Sequence, residues 1–181
     1  MTEAARLTLM YFILPAWILV GLADWYCHRI TRIEQTSGAT ESAFHLAGLA
    51  QIGVPVLAAL LLEINALIIL LMLAAFATHA VTVWLDVRYA THRRDIMPIE
   101  QTVHNYLEGM PLAGLVLVIV LHWGQFLALF GLGAEAASYA LEWKQQPLPL
   151  AYLVTIISAV VLLNVLFVEE LIRGIRARAF D

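Results

Sequence analysis

Charge is what this sequence has least of. Only 13% of its 181 residues are Asp, Glu, Lys or Arg, about half the share a soluble domain carries. With 62% hydrophobic residues and a mean hydropathy of +0.83, that scarcity excludes an ordinary soluble domain and places the chain among membrane proteins. Cysteine is nearly absent. A lone Cys27 rules out an intramolecular disulfide and any cysteine-based zinc cluster. A basic excess is also missing, because the net charge is −4, so nothing points to nucleic acid. There is no tandem repeat, low-complexity tract or soluble accessory domain, and the length suits a single domain over residues 1–181.

What is abundant is long apolar sequence. About 20 apolar residues cross the ~30 Å hydrocarbon core as a helix. Five stretches qualify, at about 7–23, 44–62, 66–85, 111–132 and 150–168. Only Glu63-Ile64-Asn65 separates the second from the third. One helix through both would be about 60 Å long, so the chain must reverse there. The expected fold is therefore an all-α, polytopic integral membrane bundle of five transmembrane helices. The first stretch ends in Asp24-Trp25-Tyr26-Cys27-His28-Arg29 without a small-x-small cleavage pattern, so it is expected to remain as a span.

Lys and Arg in the short loops set the orientation. Arg29, Arg32, Arg88, Arg93, Arg94, Arg173, Arg176 and Arg178 fall on one side, with Arg6 and Lys144 on the other. This predicts the N-terminus outside, the C-terminus in the cytoplasm, and residence in a bacterial inner membrane. Between spans three and four a break near Met97-Pro98 is expected, with a helix restarting at Ile99. The outer segment 133–149 reads as a short interfacial helix. Pro15 and Pro55 are expected to kink spans one and two.

Three carboxylates each precede a histidine by four residues: Asp24 and His28, Glu41 and His45, Glu100 and His104. On a helix, positions i and i+4 share a face about 6 Å apart. One such pair is an ordinary helix-surface contact. The topology raises their standing, because all three pairs, with His79 and Asp86 of span three, fall at the cytoplasmic ends of spans one to four. Ionisable groups within a membrane are costly and face a partner or a cavity. A metal ion is the largest charge available to offset them. Asp24, His28, Glu41, His45, His79, Asp86, Glu100 and His104 are therefore the candidate ligands. His92 among Thr91, Arg93 and Arg94 reads as solvated loop, His122 as a packing histidine and Glu34 as an exposed loop acid.

The donor set is nitrogen and oxygen without sulfur, which suits iron, manganese or zinc. Four carboxylates with three or four histidines exceed one ion's needs and point to two ions bridged by carboxylates. A single zinc closes with four ligands. Two metal ions, iron before zinc, are the expected cofactors. On these eight residues the chain resembles membrane-embedded di-iron proteins, the class that includes histidine-rich desaturases and hydroxylases and carboxylate-rich quinol oxidases. It carries neither the His-x-x-His-His boxes of the former nor the Glu-x-x-His of the latter. The resemblance implies an oxygen-dependent oxidoreductase acting on a lipid-soluble substrate, served by an electron donor, with the lipid bilayer as its surroundings. Tyr26, Tyr89 and Tyr106 are candidate relays, and Arg88, Arg93 and Arg94 a candidate donor-facing patch. A zinc-dependent membrane hydrolase with Glu41 or Glu100 as base, a metal carrier, and a non-catalytic membrane subunit are the alternatives.

The orientation is directly testable. A reporter fused to the C-terminus should be active in the cytoplasmic form only; a periplasmic signal would reverse the topology.

Overall fold

The computed structural model describes residues 2–178; Met1 and residues 179–181, part of the single-domain expectation, lie outside the described residues. The fold is all helical, with five helices long and apolar enough to cross a membrane. We label them α1 (Thr2–Thr31), α2 (Gly38–Leu61), α3 (Ala66–Ala90), α4 (Pro98–Leu121) and α6 (Leu150–Arg178), with a short α5 (Trp123–Ala128) after α4.

Helix α1 shows how the sequence shapes its own irregularities. Pro15 lacks an N–H, and its ring crowds the carbonyl four residues back. The preceding turn, Leu9–Ile13, is a π-helix, and the N–H of Leu14 reaches back to the carbonyl of Leu9. This widened turn accommodates the proline without ending the helix. At the other end Arg32 adopts a left-handed conformation (φ 53°) and its N–H caps the carbonyl of His28.

The reversal at Glu63-Ile64-Asn65 occurs as expected. Asn65 caps α3, its side chain accepting from the N–H of Ile68 (3.2 Å) while its amide donates to the carbonyl of Ala140 (2.7 Å). The segment that meets it is not the interfacial helix anticipated at 133–149. It is an extended strap laid over the α2–α3 turn. The Glu63 N–H bonds to the Glu142 carbonyl (2.9 Å) and the Lys144 N–H to the Leu61 carbonyl (3.0 Å). Positive φ at Gly131 and Gly133 and the prolines at 147 and 149 oppose a helix there, and the turn satisfies the strap's backbone groups instead.

The fourth span is also placed differently. Instead of a separate helix ahead of a span at 111–132, α4 runs unbroken from Pro98 through Pro111 to Leu121. A proline inside a membrane helix removes one backbone bond, and packing keeps the helix continuous. Glu100 and His104 therefore belong to the spanning helix itself.

The five long helices close a ring. Helix α1 packs on α4 and α6, α4 on α3, α3 on α2, and α2 on α6. The outside of the ring exposes large apolar side chains such as Phe12, Leu19, Val54, Val120 and Val165, the surface that a bilayer rather than water would solvate. The inside holds buried acids and histidines. Close approach of α6 to α2 depends on Gly174, where an added Cβ would lie 2.6 Å from the Ala39 backbone nitrogen. Glu170 lies one turn before Gly174, on the same face.

Gly174→Ala tests this packing by sign. On a free helix the change gains up to about 1 kcal/mol. Here the overlap with backbone should reverse it, costing about 1–3 kcal/mol. Thermal unfolding in detergent should show a lowered midpoint; an unchanged or raised midpoint would mean that the helices do not meet there.

Candidate metal centre

All five ring helices deliver a polar side chain to one end of the bundle. Helix α1 brings Asp24 and His28, α2 Glu41 and His45, α3 Asp86, α4 Glu100 and His104, and α6 Glu170. The i,i+4 spacing puts each acid–histidine pair of α1, α2 and α4 on the inward face. Asp24, His28, Glu41, Asp86, Glu100, His104 and Glu170 are all buried, and the His45 side chain is 7% exposed.

At the centre two imidazoles lie face to face. His28 and His45 are 4.2 Å apart between ring centroids and within 9° of parallel. Glu170 clamps both: His28 Nδ1 is 3.2 Å from Glu170 Oε2, and His45 Nδ1 is 3.1 Å from Oε1. A carboxylate only accepts, so each Nδ1 carries the proton and donates it to Glu170. In a neutral ring each Nε2 then carries a lone pair, and it faces more oxygen. His28 Nε2 lies 3.5 Å from both Asp24 Oδ1 and Glu100 Oε1. His45 Nε2 lies 3.2 Å from Asp86 Oδ2 and 3.9 Å from Glu41 Oε1. His104 Nε2 is 3.0 Å from Asp24 Oδ1. Despite these distances, His28 Nε2, His45 Nε2 and Asp24 Oδ1 are buried with no hydrogen-bond partner.

Atoms placed in this way can be satisfied by protonated imidazoles or by a metal cation between them. Ligand atoms bound to one ion at about 2.0–2.2 Å, at tetrahedral to octahedral angles, stand roughly 3–3.5 Å apart, which is the spacing of every pair above except His45 and Glu41 at 3.9 Å. Three overlapping groups have ligand atoms within 4.8 Å of one another: Asp24, His28 and His45; His28, Glu100 and His104; Glu41, His45 and Asp86. The last two form two half-sites, one around each central imidazole. Glu170 joins them on the Nδ1 side in the manner of a carboxylate–histidine–metal relay, fixing tautomer and ring orientation.

Arg94 joins the half-sites a second time. From the loop between α3 and α4 its guanidinium takes Glu41 through Nε (3.2 Å) and Nη2, and Glu100 through Nη1 (3.0 Å) and Nη2. Its side chain is only 4% exposed. Burial works against its charge, but Glu100 and Glu41 outweigh that and hold it protonated above the ordinary arginine range. Five carboxylates and one guanidinium leave four negative charges if the imidazoles are neutral. Two divalent cations balance that number; one does not.

Seven of the eight sequence candidates thus converge. His79 stands apart. It belongs to none of the three groups, because seven residues separate it from Asp86, about 10 Å along α3. It lines instead a cavity of about 70 Å³ beneath the cluster, shared with Asp24, His45, Asp86 and His104. Both its ring nitrogens lack hydrogen-bond partners. Among the residues set aside, His92 is exposed in the turn after α3 and bonds the Arg88 carbonyl. Glu34 pairs with Arg173 (2.5 Å). Tyr89 donates to the Ser37 carbonyl (3.1 Å), while Tyr26 and Tyr106 face outward.

Sequence reasoning missed Glu170 and read Arg94 as part of a loop patch. Glu170 has no histidine four residues on; Gly174 occupies that position. Its signal was depth alone, an acid directly after the apolar run of α6 and level with the other pairs. No protein-family model matches this chain, and comparisons with curated proteins and with solved structures likewise find no match.

Replacing Arg94 by Met leaves Glu41 and Glu100 buried without their shared counter-charge. Breaking a buried ion pair from one side costs about 3–5 kcal/mol. Thermal unfolding of Arg94→Met should show a large loss, partly restored when Glu41→Gln is added. Equal stability of Arg94→Met and wild type would place Arg94 outside the cluster.

Proposed function

We propose that the cluster is a di-metal centre holding two divalent ions, iron before zinc, and that the protein is a membrane oxidoreductase using oxygen on a lipid-soluble substrate. One observation carries the reading: the Nε2 atoms of His28 and His45 face carboxylate oxygens at ligand spacing without making hydrogen bonds. The first ion would be held by His28, Asp24, Glu100 and His104, and the second by His45, Asp86 and Glu41. Carboxylate-rich, sulfur-free donors favour iron and manganese over zinc. Bound iron would supply oxygen binding and the redox change that side chains lack.

The chain's own residues do the rest. Glu170 keeps both imidazoles in the ligating tautomer. Arg94 offsets part of the carboxylate charge and covers the cluster from the loop side. The apolar helix walls exclude water from a reactive centre. On the positive-inside rule this end of the ring faces the cytoplasm, where a soluble electron donor has access.

The arrangement disfavours the zinc hydrolase. Its general base would be Glu41 or Glu100, and pairing of both carboxylates with Arg94 lowers their basicity and suits neither to taking a proton from water.

Elemental analysis of the purified protein should give two iron atoms per chain, with a Mössbauer spectrum of a coupled pair. Glu170→Leu removes no proposed ligand but frees both imidazoles, and second-shell losses of this kind weaken metal affinity about 10–100-fold. Metal content should therefore fall in that variant while the protein remains folded. One zinc per chain would revive the hydrolase. No metal at all, with stability unchanged in a His45→Ala/His104→Ala variant, would end the metal reading.

A further inference from the structure

At the end of the ring opposite the cluster lies a chamber of about 440 Å³, within the ~300–1,000 Å³ range of ligand sites. Its walls are largely apolar and come from all five ring helices, with Leu9, Ile13, Ile52, Phe76, Leu115 and Val118 among them. Its mouth is polar, carrying Glu3, Arg6, His122, Lys144 and Gln146. Its floor is Trp17, which also lines the 70 Å³ cavity beneath His45 and Asp86. Trp17 is thus the lining residue that the chamber and the space under the cluster share. The walls offer no run of oxygen donors for a hydrated cation, which argues against a metal path across the membrane.

The mouth sets two cations, Arg6 and Lys144, against one acid, Glu3. Arg6 is paired with Glu3 (3.4 Å), whereas Lys144 has no ion pair among the described residues. Glu63, the acid whose charge acts on it, accepts from the Gln145 N–H with one oxygen (2.9 Å). Burial pushes the Lys144 ammonium below its usual value, against a weaker upward pull from Glu63. The strap's bonds to the α2–α3 turn hold this half-buried cation over the opening. From Arg6 to Trp17 the α1 wall is about 16 Å deep.

We propose that the chamber binds a single-chain anionic amphiphile of the long-chain fatty-acid class, with its carboxylate at Lys144 and its chain end at Trp17. The volume suits one chain rather than two. The mouth supplies the charge that such a head requires, and the walls supply the apolar contact for its tail. The site so assigned deepens the oxidoreductase reading by naming its substrate class, and it rests on that reading only for what happens to the chain end beyond Trp17.

Palmitate and two brominated forms, added to protein in nanodiscs, test this separately from the metal. Binding should saturate at one palmitate per chain. Palmitate brominated at its ω end should quench tryptophan emission, and the quenching should vanish in Trp17→Phe; bromine beside the carboxylate should leave Trp17 emission unchanged. Lys144→Glu should weaken binding at least about tenfold. Gly114→Phe, which fills the chamber, should abolish binding with metal content unchanged. Non-saturable uptake, or quenching by both isomers that survives Trp17→Phe, would mean annular lipid only and overturn the proposal. Saturable, Trp17-dependent binding in a protein that proves metal-free would uphold the chamber and overturn only the metal centre.

Discussion

The bond from Glu170 to His28 and His45 is the constraint around which this end of the molecule is organised. One carboxylate accepts from the Nδ1 of two stacked rings, which turns both Nε2 atoms towards the acids of the four other helices. Burial makes that arrangement costly. Uncompensated carboxylates in a low-dielectric interior are unfavourable by several kcal/mol each, and a single arginine is a small offset. A pair of divalent cations would change the balance from strain to cohesion, because every helix in the ring contributes a group to the same charged centre. Metal binding and closure of the ring would then be one event, as in other proteins whose sites do not exist before folding.

Two local features make the geometry attainable. Gly174 lets α6 approach the start of α2, which brings Glu170 over His45. The unbroken α4 carries Glu100 and His104 into the bundle on the spanning helix itself rather than on a separate helix ahead of it. At the opposite end the strap closes the α2–α3 turn and holds a cation over an apolar chamber. The two ends are chemically opposed, one crowded with carboxylates and the other apolar with a basic mouth, and Trp17 stands between them. That polarity suits a protein that admits an oily chain from one side and meets a water-borne donor at the other.

The helices and their membrane character were legible in the sequence, since apolar length alone reports them. The inward pairs were legible too, because i,i+4 spacing is a property of the helix and short loops brought the pairs to one face. The boundaries were less so. Composition could not show that α1 extends to Thr31 through a π-turn, or that Pro111 sits inside a continuous helix, because tertiary packing decides whether a proline ends a helix.

By itself, the sequence determined a five-span helical protein with acids and histidines gathered at one end. Only the tertiary structure decided which of them meet. His79 falls away because it lies about 10 Å up α3 from Asp86. Glu170 and Arg94 enter because ring closure sets α6 against α1 and α2 and folds the α3–α4 loop inward, contacts between residues far apart in the chain that leave no local period to read. The eight-residue candidate thereby becomes seven candidate ligands in two half-sites, joined by a carboxylate on one side and a guanidinium on the other.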